Sequence, residues 1–331
     1  MKLQKVSDIF YFRFIYRAII ICISLFLFSC FNPVTESLTD FSEFESVWQY
    51  LKIYSIYQDS SIYKHRIPDN PFVFDSPQAL LHAVNDTLWG HHYTDYEYDF
   101  TSYSSLKKRT IFDGSVSFAI DSTTGTISIV NGFVDGVTYN EFKLCMSGAA
   151  RCSTLIIDLR GNGGGSIEEV DSIVEAFVPA GKRYIMARER SFNGKIASTI
   201  DWHPWETRRN AFAQLQNKRI IVYVDGGTAS ASEILAVALR DCLGAPLVGE
   251  RTYGKGIGQI IIERRNRWPL KITYLQLRRN TRADFFNGPG TGVYHHTGIE
   301  PDTFRQWESG TLTKTAYKPV PFDCFKTIHV E

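Results

Sequence analysis

The chain has 331 residues, 36 Lys plus Arg against 35 Asp plus Glu, and 44% hydrophobic residues. That length exceeds one ordinary domain, and the composition is that of a folded globular protein rather than a disordered or fibrous one. A formal net charge of +1, with no basic stretch interleaved with aromatics, gives nucleic-acid binding no support.

Met1 to Arg17 is positive, with Lys2, Lys5, Arg13 and Arg17 against Asp8, and Ala18 to Phe28 is an apolar run of eleven residues. This is the layout of a signal peptide over residues 1–29, with a core too short for a stable membrane span. Leu27-Phe28-Ser29-Cys30 resembles a bacterial lipobox, which makes Cys30 the expected lipid acceptor; an uncleaved anchor from Phe10 to Phe28 is the alternative. Either topology puts the folded part outside the cytoplasm and at a membrane. Residues 30–40 read as a short polar tether.

Residues 41–110 read as a small helical accessory domain. Phe44, Val47, Trp48, Leu51 and Tyr54 recur at helical spacing, and a second helix is expected over Pro77 to Thr87. Residues 111–331 read as the core. Strands are expected at Ser115 to Ile120 and Gly125 to Val130, and a helix over Asn140 to Met146. Of six cysteines, Cys145, Cys152, Cys242 and Cys324 fall in this part; they do not make a disulfide scaffold, though Cys145 could pair with Cys152. Structural-zinc ligand spacings are absent, and neither a metal nor a cofactor is expected.

Ser153 to Leu159 reads as a buried parallel strand that runs into Gly161-Asn162-Gly163-Gly164-Gly165-Ser166, followed by helical spacing from Ile167 to Phe177. The loop lacks the Gly-Lys-Ser/Thr of a Walker phosphate loop, and it fits the dinucleotide fingerprint only loosely, with Ser166 in place of the last glycine. A plain tight turn and an oxyanion hole remain. A second strand, Arg219 to Val224, meets Gly226-Gly227-Thr228-Ala229-Ser230-Ala231-Ser232-Glu233 and then a helix pattern through Ile234, Leu235, Ala238 and Leu239. Ser230 with Glu233 can be a capping box. The same strand–turn–helix layout presents a nucleophile and supplies backbone N–H groups for an oxyanion. Twenty-five residues on, Gly249 to Gln259 carries Lys255 between Gly254 and Gly256, ahead of the apolar run Ile260 to Ile262. A hydroxyl needs a base, and a lysine buried enough to be partly neutral can be one.

Together these segments resemble the C-terminal-processing, or tail-specific, family of serine peptidases. Its Asp-Leu-Arg-x-Asn-x-Gly-Gly loop matches Asp158 to Gly165, its nucleophile segment Thr228 to Glu233, its base segment Gly249 to Gln259, and its closing turn Thr297 to Asp302. The resemblance covers roughly residues 113 to 305. It implies an α/β fold with a crotonase- or Clp-protease-like spiral core and no cofactor. It implies Ser230 as nucleophile, Lys255 as general base and Gln259 as the residue orienting the lysine. The oxyanion would be held by the N–H of Ala231 and one from Gly164 or Gly165, with Gly164 favoured. Many members insert a PDZ domain; residues 100–113 leave no room for one, since a domain needs at least about 50 residues. The function implied is an exported serine endopeptidase acting on peptide or protein substrates. A catalytically silent peptide- or lipid-binding protein on the same scaffold is the alternative, and an acyl-CoA enzyme of the crotonase class a third. Related tricorn-type peptidases use histidine instead, but none of the eight histidines, His91-His92 and His295-His296 included, lies in the nucleophile, base or glycine-loop segments. The oligomeric state is not legible.

Overall fold

The computed structural model describes residues 43–58, 63, 67–84, 86–88, 90–96, 114–192, 197–280, 292–307 and, as backbone, 325–330. The signal segment, Cys30, the tether, the 97–113 stretch and Cys324 lie outside the described residues. The chain divides into two compact units, Met1–Ser46 and Val47–Glu331; the site lies in the second.

In chain order the helices and strands are α1 (Glu43–Tyr54), α2 (Pro77–His82), β1 (Thr87–Leu88), β2 (His91–His92), β3 (Asp95–Tyr96), β4 (Val116–Asp121) and β5 (Thr124–Ile129). Then come α3 (Thr138–Leu144), α4 (Met146–Ala149), β6 (Thr154–Asp158), α5 (Ile167–Phe177), β7 (Arg183–Phe192), β8 (Ala197–Glu206) and β9 (Arg219–Val224). The rest are α6 (Ala231–Leu243), β10 (Leu247–Gly249), β11 (Ile257–Arg264), β12 (Leu270–Arg279), β13 (Thr303–Phe304) and β14 (Phe325–Val330). The fold is mixed α/β.

The first large sheet has the order β13-β10-β9-β6-β5-β4. From β5 to β13 every neighbouring pair is parallel, and only the edge hairpin β4–β5 is antiparallel. Strand order follows chain order without reversal. In such an order, crossovers of the usual right-handed sense wind a chain as successive turns of a spiral. The second sheet is β14-β11-β12-β7-β8, with β3 paired to β12 through Leu270↔Tyr96 and Lys271↔Asp95. Residues of the expected accessory segment thus enter the same sheet as β11, the strand that begins just after Lys255. The core centres on α6, where Ile234 through Leu239 are all fully buried; a helix apolar all round is an interior helix.

The expected helix over Pro77 to Thr87 stops at His82. Ser76 caps it, its Oγ accepting from the Ala79 N–H at 3.1 Å. Its expected last turn is diverted: Thr87 and Leu88 pair back onto His92 and His91, and the Asp86 carboxylate is taken by Thr94. The helix expected over Asn140 to Met146 is split into α3 and α4 around Cys145. Cys145 and Cys152 are both free thiols, each turned back onto the helix that precedes it, Sγ donating to Glu141 O and Gly148 O respectively. No helix among the described residues is long and apolar enough to cross a membrane.

Candidate active site

The site forms where β6 and β9 end. They are parallel neighbours, and Asp158 stands opposite Tyr223 in register, so the loops that follow leave the sheet edge side by side. Asp225 ties them, its Oδ1 accepting from the N–H groups of Gly161 and Gly227 at 2.8 and 2.9 Å. The Ala229 N–H donates to Asn162 O at 3.0 Å, and Thr228 Oγ1 to Leu159 O at 2.9 Å. A side chain at Gly227 would put its Cβ 2.9 Å from Gly161 Cα, so only glycine lets the two loops approach this closely.

Ser230 stands at the N-cap of α6 with φ 59° and ψ −119°. A non-glycine residue held there stores on the order of 1–3 kcal/mol of backbone strain. It is the conformation of a nucleophile on a sharp strand-to-helix turn. Ser230 is buried, and its N–H donates to Glu233 Oε2 at 2.8 Å. The N–H of Ala231, the first residue of α6, has no acceptor among the described residues.

The glycine loop is fixed by two neighbours. Phe133 pairs with it in parallel, its N–H donating to Gly164 O and its carbonyl accepting from Ser166 N–H, both at 2.8 Å. The buried Asn162 side chain takes the Gly164 N–H at 2.9 Å and donates to Ile129 O, also at 2.9 Å. The Gly164 hydrogen, the one favoured from sequence as oxyanion donor, is therefore committed to Asn162 in this arrangement. The Gly165 N–H, in contrast, has no acceptor among the described residues. Gly165 has φ +140°, and a Cβ there would lie 2.3 Å from Phe133 O, so the residue must be glycine. Two buried, uncommitted N–H groups on adjoining loops are what an oxyanion hole requires.

Lys255 is among the largest fully buried side chains, as its glycine- and isoleucine-rich setting suggests. Its Nζ stands 4.7 Å from the ring centroid of Tyr93. Its N–H donates to Glu233 Oε2 at 2.8 Å, the same oxygen that holds Ser230. The two amide nitrogens therefore lie within about 6 Å of each other. Glu233 Oε1 accepts from Thr252 Oγ1 at 2.6 Å and from Gly254 N–H at 2.9 Å. Burial pushes the Glu233 carboxyl above its ordinary range, opposed by these four donors, Thr252 first. The donors favour the ionised form, since a proton on either oxygen would face another hydrogen. Glu233 thus holds the backbones of Ser230 and Lys255 on one carboxylate.

The Lys255 loop is closed from outside by the Thr297 to Asp302 turn. Ile299 N–H donates to Thr252 Oγ1 at 2.8 Å, and Gly298, at φ +70°, could carry no Cβ, which would meet Thr252 O at 2.2 Å. His295 brings its Nδ1 to 3.3 Å from Gly254 O. Burial, then His296, hold its imidazole down to about 4, so it is neutral near pH 7. Gln259, fully buried just after a bulge in β11, donates from Nε2 to Thr273 Oγ1 at 3.2 Å. Its Oε1 has no hydrogen-bond partner among the described residues; a Gln259–Lys255 bond is not formed in this arrangement.

Sequence reading missed Tyr93, Asp86 and the second role of Glu233. Glu233 carries a signal in hindsight: a capping glutamate directly after a nucleophile candidate. Tyr93 and Asp86 carry none, because they reach the site only through the pairing of β3 with β12.

A sequence profile described as peptidase family S41 matches residues 124–303, more than half of the chain. The chain belongs to peptidase family S41. The carboxy-terminal processing protease CtpA of Bacillus subtilis is 28% identical over 181 residues, which are 49% of this chain and 34% of that protein. This chain thus spans about a third of the length of that curated relative. Among solved structures, the photosystem II D1 C-terminal processing protease aligns with TM-score 0.43 and 20% identity, over 59% of this chain and 49% of that one. A lipoprotein from Streptococcus agalactiae aligns with TM-score 0.49 and 12% identity, over 80% of this chain and 91% of that one.

Proposed function

We propose that this S41 protein is a serine endopeptidase, with Ser230 as nucleophile and Lys255 as general base. The observation that carries the reading is the single Glu233 oxygen shared by the backbones of Ser230 and a fully buried Lys255. Lys255 takes the Ser230 hydroxyl proton as Oγ attacks the scissile carbonyl. The N–H groups of Ala231 and Gly165 hold the resulting oxyanion. The lysine ammonium then protonates the leaving amine, and an acyl-serine remains. Water, deprotonated by the same lysine, releases the new carboxyl terminus and restores Ser230. Gln259 keeps the lysine aimed. The segment 41–110 is accessory to the 111–331 core, and substrates engage that core directly, with no PDZ module between residues 100 and 113.

The test is the reaction of the full chain with a fluorophosphonate probe, alongside casein hydrolysis. Ser230→Ala, Lys255→Ala and Lys255→Arg should each abolish both, because members of one proton-transfer unit do not act additively and a guanidinium stays protonated. An active arginine variant would remove the lysine from the mechanism. A wild-type chain that folds, yet neither reacts with the probe nor cleaves casein, would point instead to a binding protein on the same scaffold.

The site of action is proposed to be outside the cytoplasm, with the mature chain starting at a lipid-bearing Cys30. The charged start, the apolar run Ala18 to Phe28 and the cysteine after Ser29 support this. Wild-type protein should incorporate labelled fatty acid and partition with membranes, and Cys30→Ala should do neither. An unmodified Cys30 in membrane-extracted protein would favour the uncleaved anchor.

A further inference from the structure

Asp86 lies far in sequence from every motif segment, yet its carboxylate is buried and hydrogen-bonded through both oxygens. Oδ1 accepts from the Thr94 N–H at 3.0 Å, and Oδ2 accepts from Thr94 Oγ1 at 2.6 Å and from Thr273 Oγ1 at 2.5 Å. The Thr273 N–H in turn donates to Thr94 Oγ1 at 3.2 Å. Tyr93, next to Thr94, is the residue whose ring stands against Lys255 Nζ. Tyr93 thus meets Lys255, while Asp86 and Thr94 meet Thr273 on β12, the residue paired across strands with Gln259 of β11.

The hydrogens in this network can be assigned by counting. A carboxylate only accepts, and a threonine hydroxyl has one proton. Thr273 gives its proton to the bond with Asp86, so toward Gln259 it can only accept. Gln259 must therefore present Nε2 to Thr273, as the 3.2 Å contact has it, and its oxygen is forced to the opposite side. That oxygen is buried and has no partner among the described residues. A buried acceptor of this kind awaits a donor, and the lysine ammonium formed during catalysis is one.

We infer that Asp86 is a positioning residue: acting through Thr273, it fixes the Gln259 amide so that Oε1, not Nε2, is offered to Lys255. The inference rests on the proposed roles of Lys255 as base and of Gln259 as the residue that orients it. An acceptor beside the lysine favours its protonated form, whereas an amide NH2 in the same place would disfavour it. Reversing the relay should consequently change how the rate depends on pH.

The experiment is the rate of fluorophosphonate labelling of the full chain across pH, for Asp86→Asn, Thr273→Val, Thr273→Ser and Lys255→Ala. The amide introduced by Asp86→Asn can donate to Thr273, which then donates to Gln259 and turns its NH2 toward the lysine. Asp86→Asn should label more slowly at neutral pH, by up to about a hundredfold for a misplaced catalytic group, with the acid limb of its profile displaced to lower pH. Thr273→Val, which cuts the relay, should also slow labelling and displace the limb, and Thr273→Ser, which keeps the hydroxyl, should retain the wild-type profile. A folded Asp86→Asn with the wild-type limb overturns the inference. If that variant does not fold, the valine and serine pair decides, and identical limbs for the two overturn it. Lys255→Ala separates the two readings: if it still labels, the base assignment has failed; if it is inert while the other limbs stay put, only the Asp86 inference has.

Discussion

Glu233→Ala should cost far more than the loss of a helix cap. The wild-type carboxylate accepts from three backbone N–H groups, those of Ser230, Gly254 and Lys255, and from the Thr252 hydroxyl, all within 2.9 Å and all buried. Alanine leaves three buried N–H groups without an acceptor, at about 1–3 kcal/mol each. The hydroxyl can turn elsewhere, and partial relaxation of the loop lowers the sum, so a loss of about 3–6 kcal/mol is expected. That is a large share of the roughly 5–15 kcal/mol typical of a domain. Glutamine should be milder. Its NH2 can face Thr252, whose Oγ1 already accepts from Ile299 N–H and can accept again. Only the Gly254 N–H then loses its acceptor, and the bonds to Ser230 and Lys255 survive at a cost of about 2–3 kcal/mol. Equilibrium urea unfolding of both variants measures the difference, and fluorophosphonate labelling should show the glutamine variant slowed and the alanine variant silent. An alanine variant within about 1 kcal/mol of wild type, below the cost of even one orphaned N–H, or one that labels at the wild-type rate, would refute the shared-carboxylate argument.

At the N-cap of α6, Ser230→Gly should be more stable than Ser230→Ala by about 1–2 kcal/mol, the usual cost of a side chain at positive φ; a thermal melt in the reverse order would contradict the φ of 59°. Gly165→Ala should abolish labelling, because its Cβ would press on Phe133 O and drive the loop off its bridge; full activity would mean that Gly165 does not face the oxyanion. His295, held down to about 4, binds its proton less readily folded than unfolded. Its contribution is therefore complete above about pH 6.5 and is lost as pH falls toward 4, on the order of 2 kcal/mol for a partly exposed ring. His295→Gln should flatten that part of the stability–pH curve, and an unchanged slope in urea unfolding between about pH 4.5 and 7, the span of its titration, would remove His295 as its source.

The sequence by itself determined the parts of this protein that are local. An apolar run, a small-residue turn and a helical repeat in close succession specify strand, elbow and helix, so β6, α5, β9 and α6 were legible, and with them Ser230 and the glycine loop. The burial of Lys255 was legible for the same reason, since it is flanked by glycines and followed by isoleucines. Tertiary structure alone decided which hydrogen is free. Gly164 and Gly165 look alike in sequence, but Asn162 captures the first amide and the bridge to Phe133 turns the second away. It also decided that Pro77 to Thr87 would not finish as a helix, because Asp86 finds Thr94 and, 187 residues along the chain, Thr273. Periodicity reports which face of an element is buried. It does not report which donor meets which acceptor, because that depends on the register between strands distant in the chain. The chemistry of this site is written in those pairings.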